Sequence, residues 1–149
     1  MLVKNIMDTV VLHEIISRIN TLQPNTNRLW GKMNVAQMMV HCTGPLIMML
    51  GTKNYKQGLI GKLFGKSIRN KFLSGKPIKK NLPTDKELKI LSNVDFEPSK
   101  NNLIHTLNQF VNSDNVGNIT HPFFGKMTRD EWGGFMYSHI NHHLTQFGA

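Results

Sequence analysis

Apolar positions fall into helical stripes along most of the chain, and turn residues separate the stripes. From about Asp8 to Thr21, Val10, Val11, Ile15, Ile16, Ile19 and Leu22 recur at helical intervals and predict an amphipathic first helix. Gln23-Pro24-Asn25-Thr26-Asn27 reads as a loop. Asn34 is a good N-cap, and Gln37 three residues on completes a capping box for a second helix from about Val35 to Leu50. That helix is apolar nearly all round and is expected to be the most buried. Pro45 lies inside it. The proline either kinks the helix near His41 or, with Gly44, ends one helix and starts another.

Further along, Leu59, Ile60, Leu63, Phe64, Ile68 and Phe72 are spaced for a short amphipathic helix over about 60–73, broken by Ser74-Gly75-Lys76-Pro77. Residues Ile78 to Leu82 read as extended, and a turn or two of helix to Leu91 follows Pro83. Ser99 is placed to cap a third long helix to about Asn112, with Leu103, Ile104, Leu107, Phe110 and Val111 inward. Residues 112–118 read as loop. Thr128 and Glu131 form a capping box for the last helix, which runs to about Phe147 and stops at Gly148. No internal repeat and no strong strand pattern occur. The expectation is an all-α single domain over residues 1–149, a four-helix bundle with a basic connector and a short helix between helices two and three.

Charge adds a second pattern. Nine basic residues lie between Lys53 and Lys80, and no acidic residue lies between Glu14 and Asp85. The rest of the chain holds nine basic and nine acidic residues, so the net charge of +9 belongs to one segment. Such a segment attracts anions: an acidic substrate, a phosphate-bearing cofactor, nucleic acid or a membrane surface. The plain alternative is a connector kept soluble by lysine. No nucleic-acid motif accompanies the charge, and Tyr55, Phe64 and Phe72 are its only aromatic residues, which leaves nucleic acid the weakest of these partners. No apolar stretch is long enough for a transmembrane segment. The N-terminus lacks a signal peptide's basic start and apolar centre, and the single cysteine, Cys42, excludes an internal disulfide. A cytoplasmic protein is the expectation.

Histidines carry the candidate chemistry. His139 and His143 stand four residues apart on the apolar face of the last helix, with Trp132, Phe135, Met136, Ile140, Leu144 and Phe147. Their imidazoles leave one face, one above the other, a spacing that suits two ligands of one metal. His142, Ser138, Asn141 and Thr145 fall on the other side, with His142 towards solvent or an interface. His41 sits in the apolar second helix. A buried imidazole without a partner is costly, and a shared metal is one answer. With seven histidines in the chain an i, i+4 pair also arises by chance, and a lone core histidine is more often hydrogen-bonded than ligating. Cys42 is about 100 degrees round the helix from His41 and reads as packing. The nine methionines read as core filler, and Trp30 and Trp132 as core or rim aromatics. Asp130 and Glu131 serve the helix start, which leaves no obvious carboxylate near the histidines.

Leu29-Trp30-Gly31-Lys32-Met33-Asn34-Val35-Ala36-Gln37-Met38-Met39-Val40-His41-Cys42 resembles the entry to the second helix of DinB-like proteins. His121-Pro122-Phe123-Phe124-Gly125-Lys126-Met127-Thr128-Arg129-Asp130-Glu131-Trp132-Gly133, followed by His139, His143 and Gln146-Phe147-Gly148, resembles one uncharacterised branch of that superfamily. The resemblance covers the two histidine-bearing helices, while the basic middle and third helix match in general character. It implies a four-helix bundle in which His41, His139 and His143 hold one divalent metal. Relatives include thiol-dependent transferases, a mycothiol-dependent isomerase and members without known activity.

The implied function is a metal-dependent hydrolase or thiol-dependent transferase acting on a small-molecule substrate, anionic if the basic segment rims the site. Zn, Ni, Fe and Mn all suit three neutral imidazoles, and the ligand set does not choose among them. A thiol cofactor and a homodimer are both compatible with this reading. The candidate catalytic residue is His121, in the branch's HPFFG segment, either as an acid–base group closing over the site or as a turn residue held by Pro122. The alternative is a non-catalytic binding or stress-related protein with a vestigial or structural histidine cluster.

Overall fold

A computed structural model describes residues 3–51, 55–81 and 92–149. Among the described residues the secondary structure is five helices and no strands: α1 Thr9–Thr21, α2 Val35–Leu50, α3 Leu59–Leu73, α4 Phe96–Asn112 and α5 Arg129–Gln146. An isolated bridge between His121 and Gly125 is the exception to helix and turn. No described helix is long and apolar enough to cross a membrane.

Local chemistry sets the helix starts. The Asp8 carboxylate accepts from the Val10 N–H at 2.8 Å and opens α1. Asn34 with Gln37, and Thr128 with Glu131, form reciprocal capping boxes at the starts of α2 and α5. α4 begins a turn before the expected Ser99. Its N-cap is Asp95, and the Ser99 hydroxyl donates back to the Asp95 carbonyl at 2.6 Å. Pro98 falls in the first turn, where a missing N–H costs nothing. α2 runs unbroken through Pro45, which excludes two separate helices there.

α2 packs mainly on α4, α3 lies along α5, and α5 also touches α2 and α1. The core collects Leu12, Ile15 and Ile19 from α1, Met38, Met39, Leu46 and Met49 from α2, Leu103, Leu107 and Phe110 from α4, and Trp132, Met136, Ile140 and Leu144 from α5. Two expected faces are corrected. Val10 is 76% exposed, because the buried stripe of α1 is centred on Leu12, Ile15, Ile19 and Leu22, about 160 degrees round from it. Ser138 is buried, because α3 covers that side of α5 and the Ser138 hydroxyl donates to the Phe72 carbonyl at 2.7 Å. Residues Ile78–Asn81 are not a strand. The expected helix up to Leu91 lies outside the described residues.

α3 approaches the HPFFG segment through its glycines. A methyl group at Gly61 or Gly65 would meet the Phe123 carbonyl oxygen, so the absence of side chains there sets the approach. Gln57 adds a bond from its amide nitrogen to the same oxygen at 2.8 Å. The exposed Lys56, Lys62, Lys66, Lys71, Lys76 and Lys79 are left in solvent.

Candidate metal centre

α2 and α5 bring three imidazoles together. His41, from the middle of α2, and His139 and His143, one turn apart on α5, place ligand atoms within 4.8 Å of one another. The Nε2 atoms of His41 and His139 are 3.1 Å apart. The His41 and His143 rings meet edge-on with centroids 4.6 Å apart, and those of His139 and His143 at 4.9 Å. An ion about 2.1 Å from each of its tetrahedral ligands holds them about 3.4 Å apart. The His41–His139 pair is a few tenths of an ångström closer than that, and all three ligand atoms lie within 4.8 Å of one another.

The electrostatics favour neutral rings. Burial, then the neighbouring imidazoles of His143 and His41, hold His139 well below the ordinary histidine value. Burial first, then His41, pulls His143 down to about 4. A neutral imidazole has a lone pair to give. No aspartate or glutamate joins the cluster among the described residues.

A hydrogen-bond chain fixes which lone pair His143 presents. Gln146 is buried one turn beyond it, and its amide nitrogen donates to the Trp30 carbonyl at 2.8 Å. That leaves Oε1 as the acceptor facing His143 Nδ1 at 2.9 Å. Nδ1 therefore carries the proton, and Nε2 is free of it for the cluster. Gly31 completes the fit: at φ +82 it adopts a left-handed conformation, and a side chain there would strike the Gln146 amide. The Leu29 N–H also donates to the Gln146 carbonyl at 2.8 Å. Reasoning from the sequence missed Gln146. Its three-residue spacing from His143 was the available signal.

His139 lacks such support. Its Nδ1 is buried without a hydrogen-bond partner, and its ring stacks on Phe135 at 6.1 Å between centroids. The unpartnered atom belongs to a histidine whose other nitrogen faces His41. Three converging imidazoles, two of them held neutral, fit a divalent cation.

His121 lies outside the trio. Its Nδ1 accepts from the Phe123 and Phe124 N–H groups at 3.0 and 3.1 Å, and its backbone pairs both ways with Gly125. The ring packs against Phe124, Trp132 and Phe135. Burial lowers it to about 4. These contacts are those of a turn residue, and Phe135 connects its ring to the stack on His139. Cys42 is buried, sits 3.7 Å from the Met38 sulfur, and burial pushes its thiol well up. It has the character of packing.

Two aromatic expectations separate. Trp132 is fully buried, and Trp30 is half-buried at the rim with His142 against it at 5.7 Å. The Lys80 ammonium lies 4.3 Å above the Trp30 ring. Burial first, then His41 and Lys80, depresses the His142 value. His142 is thus half-buried rather than turned to solvent.

A sequence family of proteins of unknown function, DUF1569, matches residues 4–149, and the chain belongs to it. No curated protein and no solved structure matches the chain.

Proposed function

We propose that the chain is a DinB-like metal-dependent enzyme, a hydrolase or thiol-dependent transferase. In this reading α1, α2, α4 and α5 are the four helices of the bundle and α3 belongs to the basic connector. His41, His139 and His143 hold one divalent ion. The observation that carries the reading is the convergence of three buried or half-buried imidazoles from two helices, with His143 locked in the ligating tautomer. Such an ion, when bound, polarises water or a thiol so that it gives up its proton near neutral pH. The chain's own part is positional: α2 and α5 hold the rings, Gln146 orients one of them, and Phe135 stacks on His139. Zn, Ni, Fe and Mn remain equal candidates on chemistry alone.

The testing experiment is a screen of esters, amides and thiol-plus-electrophile pairs with metal-loaded and chelator-stripped protein. Turnover confined to the loaded protein supports the reading. Equal turnover by both forms rules it out.

One observation favours a second reading, a non-catalytic protein with a structural histidine cluster. The 3.1 Å approach of His41 and His139 Nε2 is also the length of an N–H···N hydrogen bond, which tethers α2 to α5 without an ion. A protein that neither retains nor binds a divalent ion belongs to this second class.

A further inference from the structure

α3 presents to solvent what the other helices bury. Leu59 is 80% exposed, Ile60 68%, Leu63 76% and Phe64 56%. Their i, i+1, i+4, i+5 spacing gathers them into one patch over the first two turns of the helix. The inward side is defined by Gly61 and Gly65 on the Phe123 carbonyl, with Ile68 and Phe72 packed against the core. Four large apolar side chains together on one exposed helix are more than scattered surface residues.

Charge narrows what covers the patch. Lys56, Lys62, Lys66 and Lys71 flank it and are exposed, and α3 holds no acidic residue. Arg69 is engaged inward, donating to the Lys126 carbonyl at 2.8 Å and pairing with Glu131. A second copy of the chain would set two such basic helices face to face, each with exposed Lys62, Lys66 and Lys71 and no acidic residue to answer them. A nucleic-acid backbone would take the lysines and leave the leucines wet. An anionic bilayer surface satisfies both: phosphate and carboxylate headgroups meet the ammonium groups, and the headgroup–acyl boundary takes the apolar side chains.

We infer that α3 is a membrane-surface helix that docks the protein, lying flat, on anionic lipid through Leu59, Ile60, Leu63 and Phe64 with Lys56, Lys62 and Lys66 around them. The docking is independent of the histidine cluster and is tested without a metal.

The test is co-sedimentation of the full chain with vesicles of phosphatidylcholine alone or mixed in equal parts with phosphatidylserine. Binding to the mixed vesicles and weak binding to phosphatidylcholine are expected. Lys62→Glu with Lys66→Glu should lower the partition coefficient more than about tenfold, since each surface-apposed lysine is worth about 1 kcal/mol. Leu63→Ser with Phe64→Ser should also lower it about tenfold or more, and both pairs are exposed enough to leave the fold intact. Failure of the wild-type protein to sediment with the anionic vesicles overturns the inference. So does binding that the serine pair leaves unchanged, because lysine attraction alone then accounts for it. Concentration-dependent dimerisation lost in the serine pair overturns it in favour of a second copy. Capture of an acidic protein that competes with vesicles, with no vesicle binding in its absence, overturns it in favour of that partner.

Discussion

Gln146 holds His143 by the nitrogen that faces away from the cluster, at 2.9 Å, and is itself held by the Trp30 carbonyl at 2.8 Å. The loop before α2 thus sets the tautomer of a ligand on α5. The WG pair and the terminal QF segment, 116 residues apart, act as one unit.

Replacing Gln146 tests that unit. Gln146→Leu removes the acceptor, and the His143 proton is expected to move to Nε2. Long-range nitrogen–proton NMR reads the tautomer on metal-free protein. Divalent-metal affinity should fall about 10–100-fold, the usual cost of losing an outer-shell partner. Gln146→Glu keeps an acceptor and should retain the native tautomer. An unchanged His143 spectrum in Gln146→Leu contradicts the assignment.

Single replacements of the trio separate ligation from folding. His41→Ala, His139→Ala and His143→Ala should each abolish tight metal binding while circular dichroism keeps the helical signal, because apolar packing carries the fold. Any turnover found for the wild type should vanish in the same variants and fall at acid pH, where protonated imidazoles cannot ligate.

Acid stability follows from His121 and His143. Each is held near 4 in the folded chain against an ordinary 6.5, so the unfolded chain takes up protons first. Stability is complete above pH 6.5 and declines as pH falls towards 4, by about 2–3 kcal/mol for each group. His121→Asn keeps an acceptor for the Phe123 and Phe124 N–H groups but does not titrate. Urea unfolding across this window should show a shallower slope than the wild type, with the contributions of His139, His142 and His143 retained. An identical pH dependence would contradict the burial of a neutral His121.

Gly65→Ala should cost about 1–3 kcal/mol, since its methyl would meet the rigid Phe123 carbonyl. Gly58→Ala has open space and serves as the control. Thermal unfolding checks both, and equal midpoints would mean that α3 does not depend on that close approach.

Local signals in the sequence were strong where one chemistry dominates. The capping boxes at Asn34 and Thr128 announce α2 and α5, the two helices that carry the histidines, and both start where those signals place them. The inward facing of His139 and His143 follows from the apolar residues around them. Tertiary features were less legible. So was the start of α4: Ser99 reads as a cap, but it lies inside the helix and its hydroxyl bonds back to the Asp95 carbonyl. Ser138 reads as a surface residue until α3 lies over it. The approach of His41 to α5 depends on how two helices cross, which periodicity does not encode. Gln146 was hidden for the same reason, since its second partner belongs to a distant loop.

The central claim is that His41, His139 and His143 form a metal site. The direct measurement is elemental analysis of protein purified without a metal-affinity column, followed by titration of the stripped protein with Zn, Ni, Fe and Mn. One divalent ion per chain, retained or rebound by the wild type and lost in His139→Ala, is the predicted result. A wild-type protein that carries no metal and takes up none, or one that binds as tightly after His139→Ala, would contradict it.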